Sequence, residues 1–586
     1  MKEHMEKTII DYIWTHPLST REEVRKGTGF AGSDSSLKRV IAAAVDSGEI
    51  LMVGSGRNVR YAPKKYPDGI QTFEKIRNEG YLYIDKTDLV YSLVNRSSSY
   101  VFLSRPRRFG KSLLISTLKA YFEGNRDLFK GLDIEKREKL WKSYPVVRLD
   151  LSTAGDALDK DQLYLKLSNI LAENEDCLGV ARNETLPGER LNSLVLRAHE
   201  KYGEKVVILI DEYDAPMLSA IYDDERTEEF KRIVKEFFSP LKKLEPYLRF
   251  VFLTGITKFS QMSLFSTLNN LDDISLDDEY SALCGFTADE VNRSFASGIR
   301  SMSRKTGAQP EEVAAQLKRR YDGYHFSPAC LDIYNPFSVL KVFSKLKLSD
   351  YWFSSGTPTL LFESLKRFNT HLYDIDGIEV PASVFNQPTE SITSVIPLFY
   401  QSGYLTLKSY SPDTDTYVLG IPNAEVRSGL MDNLLPAVTN KTSVETQDLA
   451  IRFKRALIDD DIDLALNVLK GFFASIPYPE FGNGSMDTFE KKEAYFKRLF
   501  YVVFSFMNVQ IYTEVMNSEG RTDAIMYLGD TVYIIEAKLD ASAEEALRQI
   551  KEKGYATRFA GTDKRIICLG LNFSSRTRTI DNWLSE

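Results

Sequence analysis

The stretch that decides the fold is Tyr100–Leu114, "YVFLSRPRRFGKSLL". Its first part, "YVFLS", is a continuous apolar run that reads as a buried strand. A little further on, "KSLLISTLKAYF" puts Leu114, Leu118, Tyr121 and Phe122 on one face of a helix. Between strand and helix stands Gly110-Lys111-Ser112, the ending of a phosphate-binding P-loop. The pattern GxxxxGK[ST] asks for glycine at position 105, and the chain has Arg105 there. Arg105 and Pro106 must therefore make the turn without a positive φ at that point. The surroundings suit the mechanism. Backbone N–H groups of Arg108, Phe109, Gly110, Lys111, Ser112 and Leu113, at the loop and the helix start, are placed to converge on phosphates. Lys111 is placed to reach the β- and γ-phosphates, and Ser112 a magnesium ion.

A site of this kind needs a second strand that ends in acid. "KVVILIDEYDAP" supplies it about one hundred residues downstream, with Asp211 to hold the ion and Glu212 to polarise the attacking water. A further strand, "LRFVFLTGITKFS", has a polar end, where Thr254 or Lys258 is placed to sense the γ-phosphate. The runs "SYVFLS", "YPVVRLDLS", "KVVILID" and "LRFVFLTGI" are apolar throughout and are separated by helical stretches. That pattern predicts a parallel sheet covered on both faces over residues 66–284.

Working outward, the 586 residues allow several domains. Residues 1–65 read as three helices and a hairpin, the order of a winged helix, with a capping box of Ser19 and Glu22 opening the second helix. This segment holds 11 Lys/Arg against 8 Asp/Glu, while the whole chain is at −7. Lys38, Arg39, Arg57 and Arg60 are its candidate phosphate contacts, and docking to protein is the competing reading. Residues 285–380 read as a helical lid, in which His325 of "YDGYHFS" is expected to be packed rather than catalytic. Residues 381–440 give a helix and hairpin that suit a second winged helix, and 441–484 a helical connector. Residues 485–586 read as helix, strand, strand hairpin, helix, strand, helix. Four scattered cysteines exclude a disulfide framework and suit a reducing cytoplasm. No run approaches the roughly 18 apolar residues of a membrane span.

The terminal hairpin, "GRTDAIMYLGDTVYIIEAKLD", permits arithmetic. A two-residue turn at Gly529-Asp530 sets residues opposite each other when their numbers sum to 1059. Asp523 and Glu536 satisfy that sum, so two carboxylates face each other about 5 Å apart at Cβ. Like charges so placed require a cation between them, and a divalent metal is the natural one. Lys538 shares the face of Glu536. A solvated surface hairpin is the bland alternative.

"YIDKTDLV", "FLSRPRRFGKSLL", "LIDEYDAP", "LTGITKFSQMSLFSTLNNLDDIS" and "YDGYHFS" resemble the AAA-ATPase-like proteins of bacteria and archaea, relatives of STAND-type ATPases, over residues 66–370. In that family "RPRRFGKS" is the usual loop, so the resemblance makes Arg105 a family trait. Arg107 and Arg108 are left between phosphate, a neighbouring subunit and solvent. "YIIEAKLDASAEEALRQIKEKGYA" resembles the PD-(D/E)xK nuclease domain that commonly follows this ATPase. That likeness implies magnesium held by Asp523, Glu536 and the carbonyl of Ala537, with Glu493 as an added helix carboxylate. It also implies Lys538 orienting the attacking water, and Gln549 and Tyr555 close by.

The expected architecture is an α/β multidomain chain. It has a P-loop AAA+-type parallel core with a helical lid and winged-helix modules, then a PD-(D/E)xK restriction-endonuclease-like α/β domain. The expected cofactors are ATP and Mg2+, and the expected partner is DNA. Self-association is left open. An ATP-regulated nuclease is the leading expectation. A STAND-like scaffold whose last domain binds without cutting, and a winged-helix regulator, are its rivals.

Overall fold

The computed structural model describes residues 2–46, 50–53, 59–63, 65–221, 223–257, 271–353, 376–386, 394–439, 442–474, 510–517, 520–559, 561 and 564–586. The chain forms two compact units. One is Met1–Tyr351 with Glu379–Gly420, and the other is Trp352–Ile378 with Ile421–Glu586.

The first unit opens with helices α1 (Lys2–Thr15), α2 (Arg21–Thr28) and α3 (Asp34–Asp46), then a hairpin of β1 (Ile50–Val53) and β2 (Arg60–Pro63). Ile9, Ile13, Val24, Leu37, Ile41 and Ile50 form its core. The capping box sits one residue later than the sequence suggests, on Thr20 and Glu23. Ser19 is engaged elsewhere. Its carbonyl accepts the Tyr61 N–H at 2.8 Å, and its hydroxyl donates to the His16 carbonyl at 2.5 Å. Lys38 and Arg39 are exposed on α3, Arg60 donates to the Leu18 carbonyl at 3.0 Å, and Arg57 lies outside the described residues.

After α4 (Phe73–Asn78) and α5 (Thr87–Val94) comes the main sheet, built from β3 (Tyr100–Ser104), β4 (Val146–Asp150), β5 (Val206–Asp211), β6 (Leu248–Gly255) and β7 (Asp272–Asp273). All its pairings are parallel, in the order β4-β5-β6-β3-β7. Helices α6 (Lys111–Phe122), α7 (Ile134–Arg137), α8 (Lys160–Leu178), α9 (Pro187–Tyr202), α10 (Ala215–Ala220) and α11 (Asp224–Phe238) complete this region. The strands are apolar on both faces because helices cover both. Val147, Leu149, Ile208 and Ile210 are wholly buried with Leu167, Leu191 and Phe230. The topology matters for the site, because β6 stands between the strand that enters the loop, β3, and the strand that ends in acid, β5.

The expected lid is helical, with α12 (Ala288–Ser294), α13 (Ala296–Thr306), α14 (Pro310–Tyr321) and α15 (Pro336–Lys345), and a two-stranded pairing of β8 (Phe286–Thr287) with β9 (Ile333–Tyr334). Its core contains Phe295, Leu317, Val339 and Phe343. A three-stranded sheet comes next, of β10 (Ile378–Pro381), β11 (Thr406–Ser411) and β12 (Thr416–Gly420), with α16 (Ile396–Gln401) beside it.

The second unit holds α17 (Ala424–Thr439), α18 (Ser443–Ile458) and α19 (Ile462–Ala474). Its sheet runs β13 (Gln510–Asn517), β14 (Gly520–Leu528), β15 (Thr531–Leu539), β16 (Arg565–Ser574), β17 (Thr579–Ser585), with α20 (Ala543–Glu552) packed on it. Two readings change here. The last element is a strand, not a helix: β17 pairs antiparallel with β16, which would otherwise present a bare edge of backbone groups. The stretch read as a connector is also part of this unit. Trp583 donates its indole N–H to Asp463 at 2.7 Å, and Thr579 donates to the Lys470 carbonyl at 2.8 Å, so α19 is docked on β17. The expected helix before β13 lies outside the described residues. Among the described residues no helix is long and apolar enough to cross a membrane.

Candidate functional site

The loop between β3 and α6 makes its left-handed turns at Arg108 (φ 68) and Gly110 (φ 93), and none at Arg105. The Arg105 side chain instead runs into the protein, 1% exposed. Its Nη1 donates to the carbonyls of Ser104 and Ser275, both at 2.8 Å, and Nη2 to that of Tyr280 at 3.1 Å. The guanidinium lies 4.3 Å from the Phe326 ring centre. Arg105 is thus a strut that fixes the loop from behind. Phe109 is buried edge-on against Tyr324 and Phe326, at 4.8 and 5.2 Å between centroids. That is what "YDGYHFS" does: it grips the loop. On another side Gly403 (φ 86) approaches so closely that a Cβ there would come within 2.6 Å of the Pro106 Cβ.

Lys111 is 6% exposed, and its Nζ donates to the carbonyls of Arg105 at 2.9 Å and Pro106 at 3.0 Å. Burial pushes its pKa down, against the pull of Asp211, Glu212 and Asp214. Asp211 ends the fully buried β5 and is pushed up by burial, while the Ser112 hydroxyl bonds to it and works the other way. Its Oδ1 is buried without a hydrogen-bond partner. An orphan carboxylate oxygen beside a serine hydroxyl is a donor set suited to a hard divalent cation. Glu212 sits in the left-handed region at φ 49, a strained backbone at the residue read as the water-polarising base. Burial raises its pKa, with Lys111 and Arg107 opposing.

Thr254 does not fit its expected part in this geometry. It is wholly buried, and its hydroxyl donates to the Leu103 carbonyl at 2.9 Å, between β6 and β3. Lys258, the other expected sensor, lies outside the described residues. The residue that sequence reasoning missed is Asp214. It is 1% exposed, and its Oδ2 accepts from the N–H groups of Ile256 (3.0 Å) and Thr257 (2.7 Å) and from the Thr257 hydroxyl (2.7 Å). The acid turn and the end of β6 are therefore one clamp. The signal was present in "DEYDAP", where Asp214 reads as an ordinary N-cap for α10; yet it makes no such cap. Beside the loop is a cavity of about 140 Å3, lined by Ile70, Leu82, Phe109, Leu113 and Phe337 among others. Arg108 lies over Phe337, 4.9 Å from the ring centre.

His325 is packed: Nδ1 is 2.6 Å from the Leu407 carbonyl and Nε2 is 2.8 Å from Asp332.

In the second unit, β14 and β15 pair as Ala524↔Ile535 through Leu528↔Thr531, with Gly529 (φ 58) in the turn. At the next position the ladder gives way to side chains. The Asp523 N–H donates to Glu536 Oε2 at 3.3 Å, and the Ala537 N–H to Asp523 Oδ2 at 2.9 Å. Glu536 is 2% exposed. Burial, and then the charge of Asp523, push its pKa up to about 7, with Lys538 opposing. Lys538 Nζ donates to Glu536 Oε1 at 3.4 Å and to Gln549 Oε1 at 2.5 Å. Gln549 in turn donates to Glu536 Oε1, and its Nε2 is 3.5 Å from the Tyr555 hydroxyl. Gly570 makes this possible. It is opposite Glu536 on β16, and a Cβ there would come within 2.4 Å of the Ala543 carbonyl, so its bareness lets α20 lie close enough for Gln549 to reach across.

The donor set fits a divalent cation, since facing carboxylates disfavour joint ionisation without one. Among the described residues no group of three or more His, Cys, Asp and Glu is placed to hold a metal ion, and Glu493 lies outside them.

A family model described as "Predicted AAA-ATPase" matches residues 67–265, and one described as "PD-(D/E)XK nuclease superfamily" matches residues 491–583. The chain is also 34% identical over 537 residues to a protein of Azotobacter chroococcum mcd 1 named "Uncharacterized protein in vnfD 5'region". The match covers 89% of this chain and 99% of that relative.

Proposed function

This chain belongs to the family of AAA-ATPase-like proteins that end in a PD-(D/E)XK nuclease superfamily domain, and from that membership we propose an ATP-regulated, magnesium-dependent DNA nuclease acting in the cytoplasm. The observation that carries the reading is the Asp523–Glu536–Lys538 arrangement, in which two carboxylates face each other and a lysine reaches one of them. Asp523 and Glu536 would hold magnesium, with Glu493 as the third carboxylate. When bound, the ion supplies Lewis-acid polarisation of the phosphodiester and a more acidic water. Lys538 holds a positive charge beside the site, where it orients that water and stabilises the charge that develops on phosphate. Gln549 fixes the Lys538 ammonium and the Glu536 carboxylate relative to each other.

At the other site the amides of residues 108–113 and Lys111 would hold the ATP phosphates, Ser112 and Asp211 the accompanying ion, and Glu212 the hydrolytic water. The cavity at Phe109 and Phe337 suits the base. Regulation has a physical route through Pro106. Gly403 presses on it from the turn before β11, and the hairpin of β11 and β12 ends at Gly420, where the chain passes into the second unit. Residues 1–65 and 381–440 are read as winged-helix modules, the first touching DNA through the exposed Lys38 and Arg39.

The test is cleavage of linear and circular DNA in magnesium, with and without ATP, by wild type, Lys538→Ala and Lys111→Ala. Wild type should cut, Lys538→Ala should not, and Lys111→Ala should lose the response to ATP. Equal cutting by wild type and Lys538→Ala overturns the nuclease reading, and an unchanged ATP response in Lys111→Ala overturns the regulation.

A further inference from the structure

We propose that α18 is a self-association surface on which two copies of this chain pair antiparallel. The inward face of α18 is ordinary: Thr446, Phe453, Ala456 and Leu457 are buried, and the helix packs against α17 and α19. Its outward face is not. Val444, Ile451 and Ile458 are 77%, 56% and 71% exposed. They recur every seventh residue, so they form one line along the helix, the spacing of a helix that meets another helix. A solvated face has no use for three β-branched aliphatics in register.

The charges beside that line say which helix. Asp448 and Arg455 each follow an aliphatic of the line by four residues, so they lie along the same edge, and both are exposed. In a two-fold antiparallel pair centred on Ile451, Val444 meets Ile458 of the second copy, and Asp448, which lies 3.9 Å from Arg452 of its own helix, comes within one residue's rise of Arg455 of the second copy, twice over. In a parallel pair Arg455 would face Ala450, which carries no charge. The surface is therefore complementary to itself in one orientation, which is the requirement of an isologous interface. A strongly acidic or basic partner would leave one member of the Asp448–Arg455 edge facing its own sign. The pair would bury roughly 1,000 Å2 in total, the low end for specific contacts, so association is reversible and concentration-dependent. It would set two copies of the Asp523–Glu536 centre in one assembly. The inference itself stands apart from the nuclease reading.

Sedimentation velocity on the full chain, from about 1 to about 100 μM, tests it. Wild type should move from the monomer mass towards twice that mass across the series. Ile451→Asp should stay monomeric with an unchanged melting curve, since the site is exposed. Asp448→Arg and Arg455→Asp should each weaken pairing about tenfold, and the double exchange should restore it. A wild type that remains monomeric throughout overturns the proposal. So does a double exchange no better than its parents, which would mean that some other surface or partner uses this face.

Discussion

Around Lys111 the acids Asp211, Glu212 and Asp214 come from one strand end and the turn after it, while the lysine comes from a helix start far back in the chain. Around Lys538 the acid Glu536 is two residues away on the same strand, Asp523 is on the facing strand, and Gln549 arrives from a helix. The first site is closed by its own backbone. Lys111 bonds to loop carbonyls, Asp214 to the amides of Ile256 and Thr257, and Arg105 to three carbonyls behind the loop. The second site uses the N–H groups of Asp523 and Ala537 as well, but adds bonds between side chains, among Lys538, Gln549 and Glu536, with two carboxylates set against each other. A site closed by backbone keeps its shape without a ligand. A site held by opposed charges depends on its cation.

The comparison predicts, first, that damage at the hairpin stays where it is made. Glu536→Gln should lower DNA cleavage by about 10²–10³-fold and leave ATP hydrolysis as it was. Glu212→Gln should lower ATP hydrolysis by about 10²–10⁴-fold and leave ATP binding as it was. Glu536→Gln removing ATP hydrolysis as well breaks the comparison, and steady-state assays of each variant on both substrates decide it.

Second, stability should depend on pH at the hairpin. The Glu536 pKa lies at about 7 against an ordinary 4.5, so the folded state binds its proton more tightly than the unfolded state. The stability this contributes is full below pH 4.5 and is lost as pH rises through about 7. In EDTA the second unit should melt roughly 5 °C lower at pH 8 than at pH 5, and magnesium should remove most of that fall. Asp523→Asn, which deletes the facing charge, should lessen it and leave the larger part, which burial sets. An equal slope in wild type and variant would mean that burial alone sets the shift.

Third, restoring the glycine of the usual loop pattern should harm this protein. Arg105→Gly leaves the carbonyls of Ser275 and Tyr280 without their donor, at a cost of about 1–3 kcal/mol in stability. Chemical denaturation measures it; a neutral result would show that water replaces the strut.

The limits of the sequence lie along the same divide. The parallel sheet and the loop were legible because "YVFLS", "VVILID" and "GKS" are contiguous. Asp523 and Glu536 were legible because a two-residue turn fixes register, and the observed pairs sum to 1059 as predicted. The illegible parts depend on partners distant in the chain. Ser19 is held by Tyr61 through its carbonyl while its hydroxyl turns to His16, and Arg105 found carbonyls at Ser275 and Tyr280. Asp214 turned from its own helix to Thr257, and the last residues became a strand because β16 had a free edge. Thr254 stands at a polar strand end, but the neighbouring strand claims its hydroxyl.

The tether of Lys111 to its own loop has a consequence for selectivity. The loop carries an internal competitor, and any ligand must draw the ammonium away from two neutral carbonyls. Phosphate oxygens do so because they carry a full opposite charge, which attracts the ammonium more strongly than carbonyl dipoles do. A hydroxyl or an amide offers only an even exchange and is turned away at the threshold. The loop therefore screens for anionic charge before base or sugar is read, and the screen is written in main-chain atoms that no single side-chain substitution elsewhere can erase.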